Sequence, residues 1–512
     1  MTQTTAPQRH HGHGLRHGAM SGGEVVAQAI ANIAPSAVIA FSVAGIFASA
    51  GNASWLSFTL ATVVILAVGY CISQFAKRRA SAGSLYNYAA QGFGPLGAYV
   101  TGVTLIIGCF GIASGSLAGA VYHFNAFLAG IGLTIHNTVW NVVLAVVIGG
   151  LATLFTVWGI RMSARISLIL EVISITIITV MLVIVLFAGK GPIFDSSQLT
   201  LEGATPHGIA VGMVLAILGF VGFSSSDALG REARNPFKAI PRAIMWSAAG
   251  VGLLYIFASY TQVAGYRALG DLGASGNPLD ELAVAVGMPG WFRPVLSLGV
   301  TASFFAVVVA PINVIGRIVF VMGKEGVLPG SLGHTHRTQQ TPHRAILAVA
   351  PLAVALTALL FALGVDGMEI VVNVDTYGTY GYMVAYAVVA LAAPIFLRRE
   401  GVRVPFIWPC AIVSVIGMVY VFYVNVVPWP AWPLNFVVLA FLVTFAVALG
   451  WYGYVRTARP SVAQTIGTTE WRPWWRSSPA RRRRILGAVG VVAGQGHVQV
   501  SAPDGARVDG DA

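Results

Sequence analysis

From about residue 25 to residue 455 the chain repeats one pattern: an apolar run long enough to cross a bilayer, then a short polar or Gly/Pro-rich break. A crossing needs about 20 mostly apolar residues. Only helices and closed barrels satisfy their backbone polar groups in lipid, and the runs lack the apolar–polar alternation of barrel strands. They read as helices 1 to 12 at about 25–50, 54–76, 96–128, 138–158, 164–188, 207–230, 241–264, 292–322, 344–364, 369–397, 405–427 and 433–455. Composition agrees, with 56% hydrophobic residues, 9% charged and a mean hydropathy of +0.77, where a soluble protein is roughly a quarter charged. The fold class expected is therefore all-α integral membrane, with about 12 transmembrane helices in one domain over 23–455. A His-rich arm, 1–22, is expected to be disordered, and a basic tail occupies 456–512. The first run is too long for a cleaved signal peptide and more spans follow, so it is expected to serve as its own insertion signal.

Lysine and arginine test this map, because they gather in the cytoplasmic loops. With the N-terminus inside and the loops assigned alternately, only Lys190, Arg267 and Arg293 of the 30 fall outside. A wrong helix count would scramble that bias. The asymmetry predicts a multi-pass protein of the cell (plasma) membrane with both termini cytoplasmic. It also explains the net charge of +12 without nucleic acid, leaving a lipid bilayer and a small molecule as the partners expected. Cys71, Cys109 and Cys410 lie in apolar runs and read as small core residues without a disulfide. Trp471, Trp474, Trp475 and Arg481–Arg484 make the tail either a solvated segment or one that docks on anionic lipid. His10, His11, His13 and His17 read as a polar arm before they read as a metal site.

Two runs are interrupted halfway. Helix 1 contains Asn32-Ile33-Ala34-Pro35-Ser36-Ala37-Val38, and proline in a helix interior removes one hydrogen bond and clashes with the preceding turn. Helix 6 contains Gly219-Phe220-Val221-Gly222-Phe223-Ser224-Ser225-Ser226-Asp227, a poor helix and a good loop. Each alone could be a kink or a packing site. Together they open the first and second sets of five helices, and matching interruptions in two halves of a membrane chain point to a binding site at the midplane. Repeat one would be 25–190 and repeat two 207–397, inverted because they start on opposite sides of the membrane, with helices 11 and 12 (405–455) added.

Four stretches then resemble the amino acid–polyamine–organocation (APC) superfamily of permeases, along nearly all of helices 1–12. They are the helix 1 segment above; Ser81-Ala82-Gly83-Ser84-Leu85-Tyr86-Asn87-Tyr88 followed by Phe93-Gly94-Pro95; the helix 6 segment with Glu232-Ala233-Arg234-Asn235-Pro236 and Ile240-Pro241-Arg242; and Arg317 to Pro329 with Thr341-Pro342. The resemblance implies a 5+5 inverted-repeat core with broken helices 1 and 6, and a secondary active transporter of an amino acid. Its substrate amine and carboxylate would be held by the unwound parts of those helices. The matching positions are Ala34, Pro35, Ser36, Ala37, Val38, Phe220, Gly222, Phe223, Ser224 and Ser225. Exposed N–H groups and half-helix N-termini suit a carboxylate, and exposed carbonyls suit an ammonium. Two departures matter. Pro35 and Ala37 stand where relatives often carry glycine, and Pro35 has no N–H, which opens the alternative of a small amine or amino alcohol such as an ethanolamine-like substrate. Ser224 stands where many relatives have a proton-sensitive glutamate.

Acids inside a membrane are costly and are functional suspects. Glu171 on helix 5, Asp227 after the helix 6 break and Asp375 on helix 10 are the coupling candidates. The plain alternatives are a salt bridge to a cytoplasmic arginine, a helix cap and an outward-facing shallow position, respectively. Some sodium-coupled relatives place two hydroxyls on helix 8 near the helix 1 break; Phe304–Ala310 has none, and Ser297, Thr301 and Ser303 come just before. The coupling ion expected is therefore H+ rather than Na+, in symport or exchange, with no cofactor and no metal. An enzyme would need a catalytic cluster, and His334, His336 and His343 lack an acid or cysteine partner at suitable spacing. A channel would want a continuous polar pore, whereas the polar groups here gather at two breaks. A non-transporting sensor would bind ligand without filling vesicles. Either a monomer or a homodimer fits the sequence.

Overall fold

A computed structural model describes residues 20–81, 83–135, 137–158, 160–188, 192–229, 233–336 and 341–468, with short strands at 471–473, 491–494, 497–501 and 507–510. The His-rich arm up to residue 19, the Arg481–Arg484 run and the loop residues 337–340 lie outside the described residues.

The break in helix 1 is built by local chemistry. Helix 1a (Gly22–Ile33) opens on a capping box in which the Ser21 side chain receives the Glu24 N–H and Glu24 receives the Ser21 N–H. It ends at Ala34, whose φ of 48° and ψ of 62° are left-handed. Pro35 then starts helix 1b (Pro35–Ala50) at its first position, where a missing N–H costs nothing. Helix 6a (Pro206–Leu218) stops before Gly222, which takes a φ of 86°. The chain re-coils only as a 3-10 turn, Ser225–Leu229. Between these come helix 2 (Ser54–Ala76), helix 3 (Ser84–Gly130), helix 4 (Thr138–Trp158) and helix 5 (Ile160–Ala188). Helix 7 (Pro236–Tyr266), helix 8 (Phe292–Lys324), helix 9 (His343–Ala362), helix 10 (Gly367–Arg399), helix 11 (Ile407–Val426) and helix 12 (Leu434–Ala458) follow. Helix 3 starts well before the expected residue 96 and runs through Gly94 (φ 69°) and Pro95 as a kink. The Gly-Pro pair bends the helix but does not separate it from Ser84-Leu85-Tyr86.

Among the described residues ten helical segments are long and apolar enough to span a membrane, and one of them, 35–76, covers both helix 1b and helix 2. Helix 6a, at 13 residues, is too short by itself, as a broken span must be. Twelve passages result. Helices 3, 8 and 10 pack into one slab. At its centre the backbones touch: a Cβ on Gly111 would lie 2.7 Å from Gly378, and one on Gly381 would lie 2.3 Å from the Thr104 carbonyl. Small residues allow that approach in lipid, where apolar side chains gain nothing by leaving the tails. Helices 1, 2, 6a and 7 form a second body, with helix 2 on helix 7 and helix 1b on helix 6a. Burial separates core from rim. The most apolar window of helix 8 is 94% buried and that of helix 12 only 17%, so helices 11 and 12 present most of their surface to lipid. Arg79–Ser81 (β1), in the helix 2–3 link, pairs antiparallel with Trp471–Pro473 (β2) of the tail.

Candidate functional site

Where the two breaks face each other they enclose a narrow cavity. Ile33, Ala34, Ala37, Val38 and Phe41 line it from helix 1, Leu218 and Val221 from helix 6, Ile112 and Ser116 from helix 3, Phe304 and Val307 from helix 8, and Asp375 from helix 10. Phe41 and Phe304 stack across it at 6.3 Å, and His123 of helix 3 stacks behind Phe304 at 5.5 Å. The wall is apolar except for Ser116, Asp375 and the backbone of the breaks.

Asp375 is buried at 5% exposure, so the shallow, outward-facing alternative does not hold. Ser116 lines the same cavity, and the Asp375 Oδ1 has no partner among the described residues. A Cβ on Gly115 would meet that oxygen at 2.2 Å, so the glycine is what lets the acid stand against helix 3. A carboxylate oxygen left bare in a lipid-embedded cavity is a cation-recognising group.

Glu171 is not part of this lining, and among the described residues it pairs with no arginine. Arg165 instead meets Glu24 at 2.6 Å, tying helix 1a to helix 5. The Ser36 N–H donates to Glu171 Oε1 at 3.1 Å, Oε2 of this carboxylate has no partner among the described residues, and the Ala37 N–H donates to Ser303 Oγ at 3.1 Å. Glu171 and Ser303 thus cap the N-terminus of helix 1b, where the helix dipole favours an anion. The consequence reaches the cavity. Pro35 has no N–H, those of Ser36 and Ala37 are taken, and that of Val38 returns to the Ala34 carbonyl at 3.1 Å.

Of the ten positions carried over by resemblance, Ala34, Ala37 and Val38 line the cavity. Pro35 and Ser36 are buried beside it at the helix 1b start. The five helix 6 positions sit one layer away. Phe220 packs edge-on to Tyr255 and Phe223 to Tyr386. The Gly222 N–H donates to the Tyr386 hydroxyl at 3.2 Å, with Ser224 within 3.5 Å of the same oxygen, and Ser225 is buried in the 3-10 turn. Asp227 is fully buried in that turn. The Tyr255 hydroxyl donates to the Gly219 carbonyl at 2.8 Å, supplying a partner that the unwound backbone needs in lipid. Sequence reasoning missed Ser116, Phe304, Leu218, Val221 and Tyr386, and looked for the helix 8 hydroxyl at 304–310, when Ser303, the residue just before, is the one that meets the break. A helical face can be read from spacing, but its rotation toward a cavity is fixed by neighbouring helices.

A family model described as amino acid permease matches residues 19–448. The chain belongs to the amino acid permease family. This permease is 24% identical over 421 residues to the branched-chain amino acid permease of Bacillus subtilis (strain 168), covering 77% of this chain and 86% of that one. It is 25% identical to the methylthioribose transporter of the same organism, covering 71% and 79%. It is also 25% identical to a low-affinity putrescine importer of Escherichia coli (strain K12), covering 60% and 67%. Among solved structures, the permease superposes on a Na+-coupled sialic acid symporter in a substrate-bound outward-open state, with a TM-score of 0.51 at 14% identity, covering 81% of this chain and 91% of that one. That likeness establishes the fold, the inverted-repeat core with broken helices 1 and 6. The permease is a multi-pass membrane transporter.

Proposed function

We propose that this permease carries an amino acid across the cell membrane by alternating access, driven by protons, with both termini in the cytoplasm. The observation that carries the reading is the bare oxygen of Asp375 in the cavity between the two breaks. It offers a counter-charge to a substrate ammonium, which the last carbonyls of helix 1a, unsatisfied by helix geometry, would also receive. Glu171 supplies the proton site. A carboxylate holding the Ser36 N–H at a helix N-terminus is a strong acceptor, and protonation weakens it. Proton uptake at Glu171 then releases the one helix 1b donor that a substrate carboxylate needs, linking the driving ion to the cargo.

A second reading is favoured by a specific observation, the absence of a free N–H at the start of helix 1b. A small amine or amino alcohol needs only the ammonium half of the site. The two readings part at the substrate carboxylate. Thermal-shift screening of the purified permease against amino acids and their decarboxylated amines identifies binders, and uptake of the labelled binder into proteoliposomes follows. An amino acid taken up with an imposed pH gradient, and indifferent to sodium, is the expected result. Uptake of the amine alone establishes the second reading. Sodium dependence at constant pH overturns the proton drive, and ligand binding without any uptake overturns transport.

A further inference from the structure

On helix 3, Ile112, Ser116, Gly119 and His123 recur at three- and four-residue spacing and so share one face. Ile112 and Ser116 line the cavity, and the next two meet Phe304 of helix 8. A Cβ on Gly119 would overlap the Phe304 ring, so the glycine lets that ring lie against helix 3. His123 stacks on the ring at 5.5 Å with 19° between the planes, and Phe41 of helix 1b stacks on it at 6.3 Å with 29°. Relative to the other lining residues, Phe41 and His123 lie toward the C-terminal ends of helices 1b and 3, and Phe304 toward the N-terminal end of helix 8. Those ends of helices 3 and 8 meet, since a Cβ on Gly130 would lie 2.9 Å from Pro294. The three rings therefore close one side of the cavity.

His123 is 4% exposed, and its Nε2 has no partner among the described residues. Its neighbours are rings, Phe304 in the stack and Tyr122 edge-on at 5.3 Å. What it gives Phe304 is a flat face to lean on. The cavity measures about 30 Å³, where one water needs roughly 10–15 Å³, so a cargo gains room only where the lining yields. Phe41 and Phe304 are the largest side chains of that lining, and Phe304 is the one braced from behind. How far Phe304 yields sets how long a cargo side chain fits, and the apolar wall around it sets the kind. We propose that His123 is a positioning residue for cargo selection, whose ring braces Phe304 over the cavity and so restricts the permease to cargo with a short apolar side chain. The inference deepens the transport reading above and rests on it.

The test measures uptake of labelled alanine, valine and phenylalanine, and of their decarboxylated amines, by the full-length permease in proteoliposomes. The unaltered permease is expected to prefer the valine side chain to the phenylalanine one. His123→Ala is expected to narrow that preference by about tenfold, the scale of one aromatic pair, while uptake of the alanine member continues. His123→Phe keeps a ring in place and is expected to keep the preference. An unaltered permease that takes the phenylalanine member as well as the valine one overturns the proposal, and so does a His123→Ala preference equal to the unaltered one. A preference narrowed as much by His123→Phe overturns the bracing role, because the nitrogen and not the ring would then be at work. Should His123→Ala lose its monodisperse form, His123→Leu, which fills the space without a flat ring, decides in its place: a narrowed preference is expected, and an unchanged one overturns the proposal. Uptake of a ligand of another class, with none of this series taken up, sinks the apolar cargo alone, whereas no uptake of any ligand that binds sinks the transport reading.

Discussion

Two buried carboxylates flank the same turn of helix 1 and serve different elements. Glu171 holds the Ser36 N–H on Oε1 at the N-terminus of helix 1b, outside the cavity lining, and its Oε2 has no partner among the described residues. Asp375 is part of the cavity lining, and its Oδ1 likewise has no partner among the described residues. Charge type and burial are alike, so the difference lies in what each stands against. A carboxylate on a helix N-terminus away from the lining has a proton to exchange, and one on the lining can meet a cation from the cavity. On the proposed function, driving ion and cargo are held by two acids on either side of one helix turn, and every substitution below either breaks that separation or sharpens it.

The largest effect is expected at Asp375. Asp375→Asn keeps the shape and removes the charge, and losing one partner of a buried charged pair costs roughly 2–5 kcal/mol. Ligand affinity should fall by about 100-fold or more, read by thermal shift and by uptake. An unchanged affinity would place the ammonium elsewhere and end the cargo half of the comparison. Glu171→Gln comes next. It keeps an acceptor for Ser36 but cannot titrate, so binding should persist while accumulation loses its dependence on the pH gradient. A one-unit gradient is worth about 1.4 kcal/mol per proton, hence about tenfold in accumulation. A glutamine variant that still accumulates substrate tenfold per unit would transfer the proton role to another acid, with Asp227 the next to substitute.

How much of this was legible beforehand follows from what each signal depends on. Helix number and the position of the breaks were readable because they are local: Pro35 stops a helix wherever it falls, and Gly222 with three serines does not re-form one. The acids were readable because charge in lipid is rare. What each acid touches was not readable. Glu171 and Ser36 are 135 residues apart, and Ala37 and Ser303 are 266 apart, so their meeting depends on the rotation of three helices about their axes. The same limit shifted the helix 6 lining from Phe220 and Gly222 to Leu218 and Val221. A broken helix has no 3.6-residue period by which to say which side faces inward. The kink at Gly94 was read as a boundary because a Gly-Pro pair signals either.

Ser303→Ala sharpens the Glu171 side by a smaller amount. It leaves the Ala37 N–H without its acceptor in a buried place, which costs about 1–3 kcal/mol. Lower thermal stability with an intact pH-gradient response is expected, since the proton site keeps Ser36. Loss of the gradient response as well would make the hydroxyl part of the proton site and not only a cap.

The smallest effect is expected outside the membrane-spanning segments, at a buried acid held by more donors than Glu171. Asp195, in the helix 5–6 link, receives Arg267 Nε at 2.9 Å, Gln198 Nε2 at 3.0 Å and the Ser197 hydroxyl at 2.8 Å. Burial alone would raise this carboxyl, but the bonds from Arg267, Gln198 and Ser197 outweigh it and hold it below the usual aspartate range. A carboxylate depressed in the folded state contributes stability that is complete above its unfolded value and lost as pH falls through the lower folded one. The permease should therefore lose a small part of its thermal stability on the acid side of pH 4, and Asp195→Asn should lose less over the same range. The partly exposed arginine keeps the effect small, because water screens its charge. An equal acid response in both proteins would show that this hydrogen-bonded acid contributes nothing to folding. The contrast with Glu171 would then rest on the membrane and not on the number of donors.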